Sequence, residues 1–292
     1  MKAMLQDIGY GRLENEFRDM KPDNRSVVIC FRDNKVVIHR DKNDALYLPS
    51  YTQCVQWAQE NEWKSWNETS YQYVFRLMDT DYFIWMGESG EVSDPDFCYE
   101  TVRELRQTVS KHICFAVMTA WHLFVWYQNN RFCGRCGMPT VHDNKERMMR
   151  CPECGNMIFP KIAPAVIIAV TDGDRILMSK YAGRAYTRYA LLAGFVEIGE
   201  TAEQTVQREV MEEVGLRVKN VRYYKTQPWG IESDLLLGYF CDLDGDDTIH
   251  LDRNELALAE WYPRDAMPVK DDGISLTREM MRIFSEGKEP KV

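Results

Sequence analysis

The sequence predicts a mixed α+β and α/β chain in three parts. These are a β-rich N-terminal domain with a helical connector over residues 1–128, a four-cysteine ribbon over 129–159, and an α/β/α sandwich over 160–292. Three observations predict it. Branched and aromatic runs separated by short polar turns fill the first hundred residues. Two Cys-x-x-Cys pairs, Cys133/Cys136 and Cys151/Cys154, then stand on either side of residues 137–150. Beyond Pro160, apolar strand patterns alternate with two helical ones, which suits a sheet with helices on its faces.

Taken in order, SVVICF and KVVIHR flank Arg32-Asp33-Asn34 and predict a hairpin, and YQYVFRLM and YFIWMG flank Asp79-Thr80-Asp81 and predict a second. Leu105, Val109, Ile113, Val117 and Trp121 recur every fourth residue, predicting a helix from about Tyr99 to Tyr127. This region shows no chemical constellation, and its aromatic residues read as core. In the cysteine segment each pair is followed by glycine, so each suits a tight turn presenting two thiolates to one tetrahedral ion. Four cysteines leave no open position, so the predicted zinc is structural. Two disulfides are the bland reading, and they conflict with a reducing compartment; a redox pair is a lesser alternative. His142 is surplus to a four-cysteine site and reads as a surface residue. Cys30, Cys54, Cys98, Cys114 and Cys241 are scattered and read as small core residues. APAVIIAV, RILMSK, TRYALLAGFVE, VRYYKTQP, DLLLGYFCDL and AEWYP supply strands, and SLTREMMRIF a closing helix.

Between the third and fourth of these strands, GFVEIGETAEQTVQREVMEEVGL holds six glutamates and one basic residue, Arg208. Thr201 and Gln204 form a capping box, Ala202, Val206, Val210 and Val214 make an apolar stripe, and Gly215 suits a left-handed C-terminus. Glu209, Glu212 and Glu213 therefore fall at the end of the helix where the dipole disfavours anions, and they repel one another at i,i+3 and i,i+4 spacing. A solvated acidic face is the default for a charge run, but this placement points to a bound divalent cation. A hard ion such as Mg²⁺ takes one or two carboxylates plus substrate phosphate oxygens.

A net charge of −9 argues against broad nucleic-acid binding through cationic neutralisation of phosphates. No apolar run approaches the ~20 residues of a membrane span. MKAMLQDIGYGRLENEF lacks a signal-peptide apolar core, so the expectation is a cytoplasmic protein.

Gly194, Glu200, Arg208, Glu209, Val210, Glu212, Glu213, Gly215 and Leu216 fill every fixed position of G-x5-E-x7-R-E-U-x-E-E-x-G-U, so the segment resembles the Nudix box. The ribbon placed before it, and Gln227-Pro228-Trp229 after it, resemble the NADH pyrophosphatases. The likeness spans roughly residues 115–262. It departs at TQPWGIESD, where the family runs S-Q-P-W-P-F-P-x-S and Asp234 takes the final Ser position, and at Phe159, which replaces a Tyr.

The resemblance implies a Nudix fold, hydrolysis of the pyrophosphate of NADH or NAD⁺ to nicotinamide mononucleotide and AMP, and removal of NAD caps from RNA 5′ ends. It also implies that Glu209, Glu212, Glu213, Glu255 and the Ala193 carbonyl bind two or three Mg²⁺ or Mn²⁺ ions, with Arg208 pairing to Glu200. Phe195 and Trp229 would sandwich the nicotinamide, Trp229 from the second subunit of a homodimer, with Gln227, Pro228, Phe159 and Asp234 in the substrate site. Other readings are a Nudix hydrolase of ADP-ribose or dinucleoside polyphosphates, and a non-catalytic dinucleotide sensor. The latter is disfavoured because all the metal glutamates are kept.

Overall fold

Tight turns join short strands in the N-terminal half, and they place Asp33 at φ 54° and Met78 at φ 55° in the left-handed region. The computed structural model describes residues 4–7, 12–63, 70–107, 110–183, 187–268 and 273–292. They divide into two compact units, one of residues 5–161 with 230–233, the other of Met4 with 162–229 and 234–292.

The first unit begins with β1 (Leu13–Glu14), β2 (Val27–Ile29), β3 (Phe31–Arg32), β4 (Lys35–Arg40), β5 (Leu46–Tyr47) and α1 (Tyr51–Glu60). It continues with β6 (Tyr71–Leu77), β7 (Thr80–Trp85), β8 (Phe97–Thr101) and α2 (Lys111–Asn129). One sheet runs β1-β6-β7-β2, and a second runs β3-β4-β5 with β8 also on β4. The β6–β7 hairpin forms as expected. The first hairpin is confined to Phe31–Arg32 against β4, because β2 leaves it to pair in parallel with β7.

The helix starts at Lys111 rather than near Tyr99. Tyr99 lies in β8 opposite Val37, and Leu105 sits in a 3₁₀ turn at Glu104–Gln107. Pairing with an available sheet edge thus overrides the four-residue spacing there; Val109 lies outside the described residues. Helix α1 lies outside the sequence expectation, although Ser50 and Gln53 spell out its capping box. Its Cys54, Trp57 and Ala58 pack with Val28, Val37, Phe83 and Trp85. The ribbon follows as β9 (Val141–His142), β10 (Met149–Arg150) and β11 (Met157–Ile158), in the order β11-β10-β9. It belongs to the same compact unit as the strands before it.

The second unit holds β12 (Ala163–Asp172), β13 (Arg175–Tyr181), β14 (Leu192–Phe195), α3 (Ala202–Val214), β15 (Val218–Trp229), β16 (Asp234–Leu243), β17 (Leu256–Pro263) and α4 (Leu276–Ser285). The sheet runs β15-β16-β12-β13-β17, with β12 parallel to β16 and β14 antiparallel to β12. Side chains along β12 alternate between two cores, as a strand covered on both faces requires. Val166, Ile168 and Val170 meet Val206, Val210 and Val214 of α3. Ile167 and Ala169 meet Leu276, Met280 and Phe284 of α4. The result is an α/β/α sandwich. Among the described residues, no helix is long and apolar enough to cross a membrane.

Candidate active site

The glutamate segment folds as its pattern dictates. The Thr201 hydroxyl accepts from the Gln204 N–H, the Gln204 side chain accepts from the Thr201 N–H, and Gly215 closes α3 in the left-handed region at φ 70°. With its apolar stripe on the sheet, α3 carries Glu209 and Glu213 into the edge of the core, where they are 8% and 2% exposed, while Glu212 remains exposed.

Strand β14 passes directly against this face. A methyl group added at Gly194 would lie 1.9 Å from the Glu209 carboxyl carbon, so only glycine lets the strand run beneath that carboxylate. Its neighbours Ala193 and Phe195 are thereby held beside the helix, and Phe195 is 56% exposed. Burial pushes the Glu209 carboxyl upward, against the pull of Arg208, and the charges of Glu212 and Glu255 add to the rise.

Glu255 reaches this neighbourhood through a contact that the motif does not show. The loop after β16 zips onto the end of α3: Asp252 donates its N–H to the Glu213 carbonyl at 2.9 Å, and His250 donates to that of Val214 at 2.9 Å. These bonds satisfy carbonyls that a helix end leaves open. Glu255 itself is exposed, and its carbonyl is held by the Ala182 N–H at 2.8 Å.

The carboxylates are not left without a cation of their own, contrary to the expectation from counting charges. Arg208 donates from Nε and Nη2 to Glu200 at 2.7 and 3.0 Å, and from Nη1 to Glu209 at 2.7 Å and Glu212 at 2.8 Å. Nη2 also meets the Phe195 carbonyl at 3.0 Å, which ties the loop back to β14. This fork pulls the Glu200 carboxyl down to about 2. One Arg thus organises three glutamates, whereas Glu213 sits deeper on the same helix. Buried carboxylates at a helix C-terminus are costly without added positive charge, and an all-oxygen donor set suits a hard divalent cation. The residues therefore fit the implied metal.

The remaining expected site residues lie on β15, on β16 and in the other unit. Pro228 is exposed and Trp229 half-buried at the end of β15, where Trp229 stands opposite the buried Asp234 of β16. Gln227 is fully buried. Its Nε2 donates to the Ile274 carbonyl and its Oε1 accepts from the Leu276 N–H, each at 2.7 Å, so it clamps the start of α4. Phe159 belongs to the N-terminal unit, with its ring exposed.

In the ribbon, the four cysteine sulfurs lie within 4.8 Å of one another. The contacts Cys133–Cys154 and Cys136–Cys151 measure 3.6 and 3.5 Å. A tetrahedral zinc with arms of about 2.3 Å gives edges of about 3.8 Å, so the set is sized for zinc. Gly137 and Gly155, at φ 77° and 70°, close the two matching turns by donating to the Cys133 and Cys151 carbonyls. The Arg135 N–H and then that of Cys136 draw the Cys133 thiol down to about 6, while, against the pull of the Met138 N–H, the sulfurs around Cys136 push its thiol up to about 12. Among the described residues, no other group of His, Cys, Asp and Glu gathers three ligand atoms this closely. His142 is exposed and packs on Tyr127 rather than joining the site.

Residues 161–282 match the NUDIX domain family, and residues 128–159 match the NADH pyrophosphatase zinc ribbon domain. The NAD-capped RNA hydrolase NudC of Klebsiella pneumoniae subsp. pneumoniae is 42% identical over 144 residues, 49% of this chain and 56% of that protein. That of Erwinia tasmaniensis is 38% identical over 156 residues, 53% of this chain and 59% of that one. The chain thus spans little more than half the length of these curated relatives. Among solved structures, a NUDIX hydrolase from Nitrosomonas europaea aligns with 53% of this chain and 91% of its own at 21% identity and a TM-score of 0.46. Residues 128–282 thus carry a segment similar to the NADH pyrophosphatase zinc ribbon directly before one similar to the NUDIX domain.

Proposed function

We propose that this protein is a metal-dependent NAD(H) diphosphatase. It would hydrolyse the pyrophosphate of NADH or NAD⁺ to (reduced) nicotinamide mononucleotide and AMP, and release NAD caps from RNA 5′ ends by the same cleavage. The observation that carries this reading is the carboxylate face of α3 pressed against Gly194 of β14, beside the exposed ring of Phe195, in a chain that also bears the NADH pyrophosphatase ribbon.

In this reading Glu209, Glu212, Glu213, Glu255 and the Ala193 carbonyl hold two or three Mg²⁺ or Mn²⁺ ions. Such ions neutralise charge on the pyrophosphate oxygens and lower the pKa of bound water. The protein's own part is placement. Arg208 and Glu200 fix the loop that presents the carboxylates, and one of the glutamates would accept the proton from water. The exposed Phe195 ring offers a face for the nicotinamide, and Trp229 supplies the opposing face from the partner of a homodimer. Pro228 and Asp234 flank it. Gln227 supports the site by clamping α4.

The test is incubation of the purified protein with NADH, NAD⁺, ADP-ribose and NAD-capped RNA in Mg²⁺ or Mn²⁺, with products identified by mass. The reading expects cleavage of the three nicotinamide-bearing substrates. Cleavage of ADP-ribose alone would show that the altered TQPWGIESD loop redirects the enzyme, and tight dinucleotide binding without cleavage would favour a sensor.

A further inference from the structure

We infer that Thr205 is a positioning residue for the metal-binding carboxylates, an inference that rests on the function proposed above. Thr205 lies outside the fixed positions of the box, yet it is fully buried one turn before Glu209 on α3. Its hydroxyl donates to Glu200 Oε2 at 2.9 Å and lies 3.1 Å from the Thr201 carbonyl. That carbonyl also accepts the Thr205 N–H at 3.0 Å in the helix ladder, and of the two acceptors within reach of the hydroxyl the ionised Glu200 carboxylate is the nearer and the stronger.

Glu200 in turn has a full set of donors. Oε1 takes Arg208 Nε, while Oε2 takes Arg208 Nη2, Thr205 and, at 3.3 Å, the Glu197 N–H. Among the described residues, Thr205 is the one side-chain donor to Glu200 on the helix that forms no hydrogen bond with Glu209 or Glu212. It therefore fixes the rotamer of Glu200 without competing for the carboxylates. The resulting relay runs from Thr205 to Glu200, from Glu200 to the Arg208 fork, and from Nη1 to Glu209 and Glu212. Removing the hydroxyl loosens the far end of the fork and lets the near end shift, although no metal ligand has changed.

Thr205→Val keeps the branched shape and volume of the side chain and removes the hydroxyl. Thr205→Ser keeps the hydroxyl and removes a methyl group. Calorimetric titration of the zinc-loaded protein with Mn²⁺ alone reads the effect without substrate. Loss of a hydrogen-bonding partner beyond the metal ligands lowers affinity by roughly 10–100-fold, and for a group this far out the lower end, about tenfold, is expected in Thr205→Val. Thr205→Ser should stay near the wild type, and Thr205→Val should have an unchanged KM for NADH at saturating Mn²⁺. Wild-type Mn²⁺ affinity in Thr205→Val overturns the inference. So does an equal loss in both variants, which would mark a packing role. Mn²⁺ binding by a wild type that cannot cleave NADH would sink the diphosphatase reading and leave the relay to be judged by calorimetry.

Discussion

The chain has two candidate metal centres built on opposite logic. In the ribbon, four sulfurs stand at tetrahedral spacing with no open position, placed by two identical glycine-closed turns. On α3, carboxylates with unequal exposure are spread along a helix and bridged by an arginine. Soft, closed and pre-gathered ligands make a structural site, whereas hard, open ligands under the control of a second cation leave room for substrate oxygens. The difference shows that the two kinds of motif need different evidence: spacing suffices for the first, and packing against β14 is needed for the second.

The largest expected effect is at the ribbon. Structural zinc sites of this kind carry an apparent ~10–16 kcal/mol of folding-coupled binding free energy. Cys133→Ser should therefore abolish the one bound zinc measured by elemental analysis, and hydrogen exchange should show lost protection over residues 131–159. Retained protection with no zinc would contradict a metal-built ribbon.

At the carboxylate centre, Gly194→Ala should move Glu209 off its position, since overpacking a tight contact costs ~1–3 kcal/mol and shifts neighbours. Weakened Mn²⁺ binding with the zinc retained is the expected signature. An unchanged Mn²⁺ affinity would mean that the close approach of β14 does not serve the metal.

Gln227→Ala separates support from substrate contact. It removes the acceptor of the buried Leu276 N–H and a donor to the Ile274 carbonyl, so about 1–3 kcal/mol of stability should be lost in denaturant titration. A raised KM for NADH at unchanged stability would instead return Gln227 to the substrate site.

The smallest effect is a pH dependence. Glu200 titrates near 2 in the folded protein, below its ordinary 4.5, because Arg208 grips the ionised form. Its contribution to stability is thus fully present above about 4.5 and is lost as pH falls toward 2. Glu200→Gln should flatten the acid side of the stability curve in that window and leave neutral-to-alkaline behaviour alone. An acid limb identical to that of the wild type would mean that the pair does not stabilise the fold.

Much of this was legible in the sequence because it is local. The capping box, the glycine end of α3 and the cysteine turns each depend on residues a few positions apart, and each forms as written. What the sequence hid depends on contacts distant along the chain. The grip of Asp252 and His250 on the end of α3, which brings Glu255 near Glu209, joins residues about 40 positions apart, and no periodicity announces it. The burial of Gln227 is decided by α4. Charge counting missed the reach of Arg208, because one planar fork can serve several carboxylates at once. In the N-terminal unit, sheet pairing displaced a helix pattern at Tyr99, which spacing alone could not foresee.

The most direct measurement compares wild type with Glu213→Gln on NADH in Mn²⁺, with products identified by mass and thermal stability recorded in parallel. The account predicts AMP and reduced nicotinamide mononucleotide from the wild type. It also predicts a loss of roughly 10²–10³-fold in kcat in the variant, the scale for removing one charge-stabilising group, with stability little changed. Turnover in Glu213→Gln equal to wild type, or a collapse of stability in place of a loss of turnover, would contradict it.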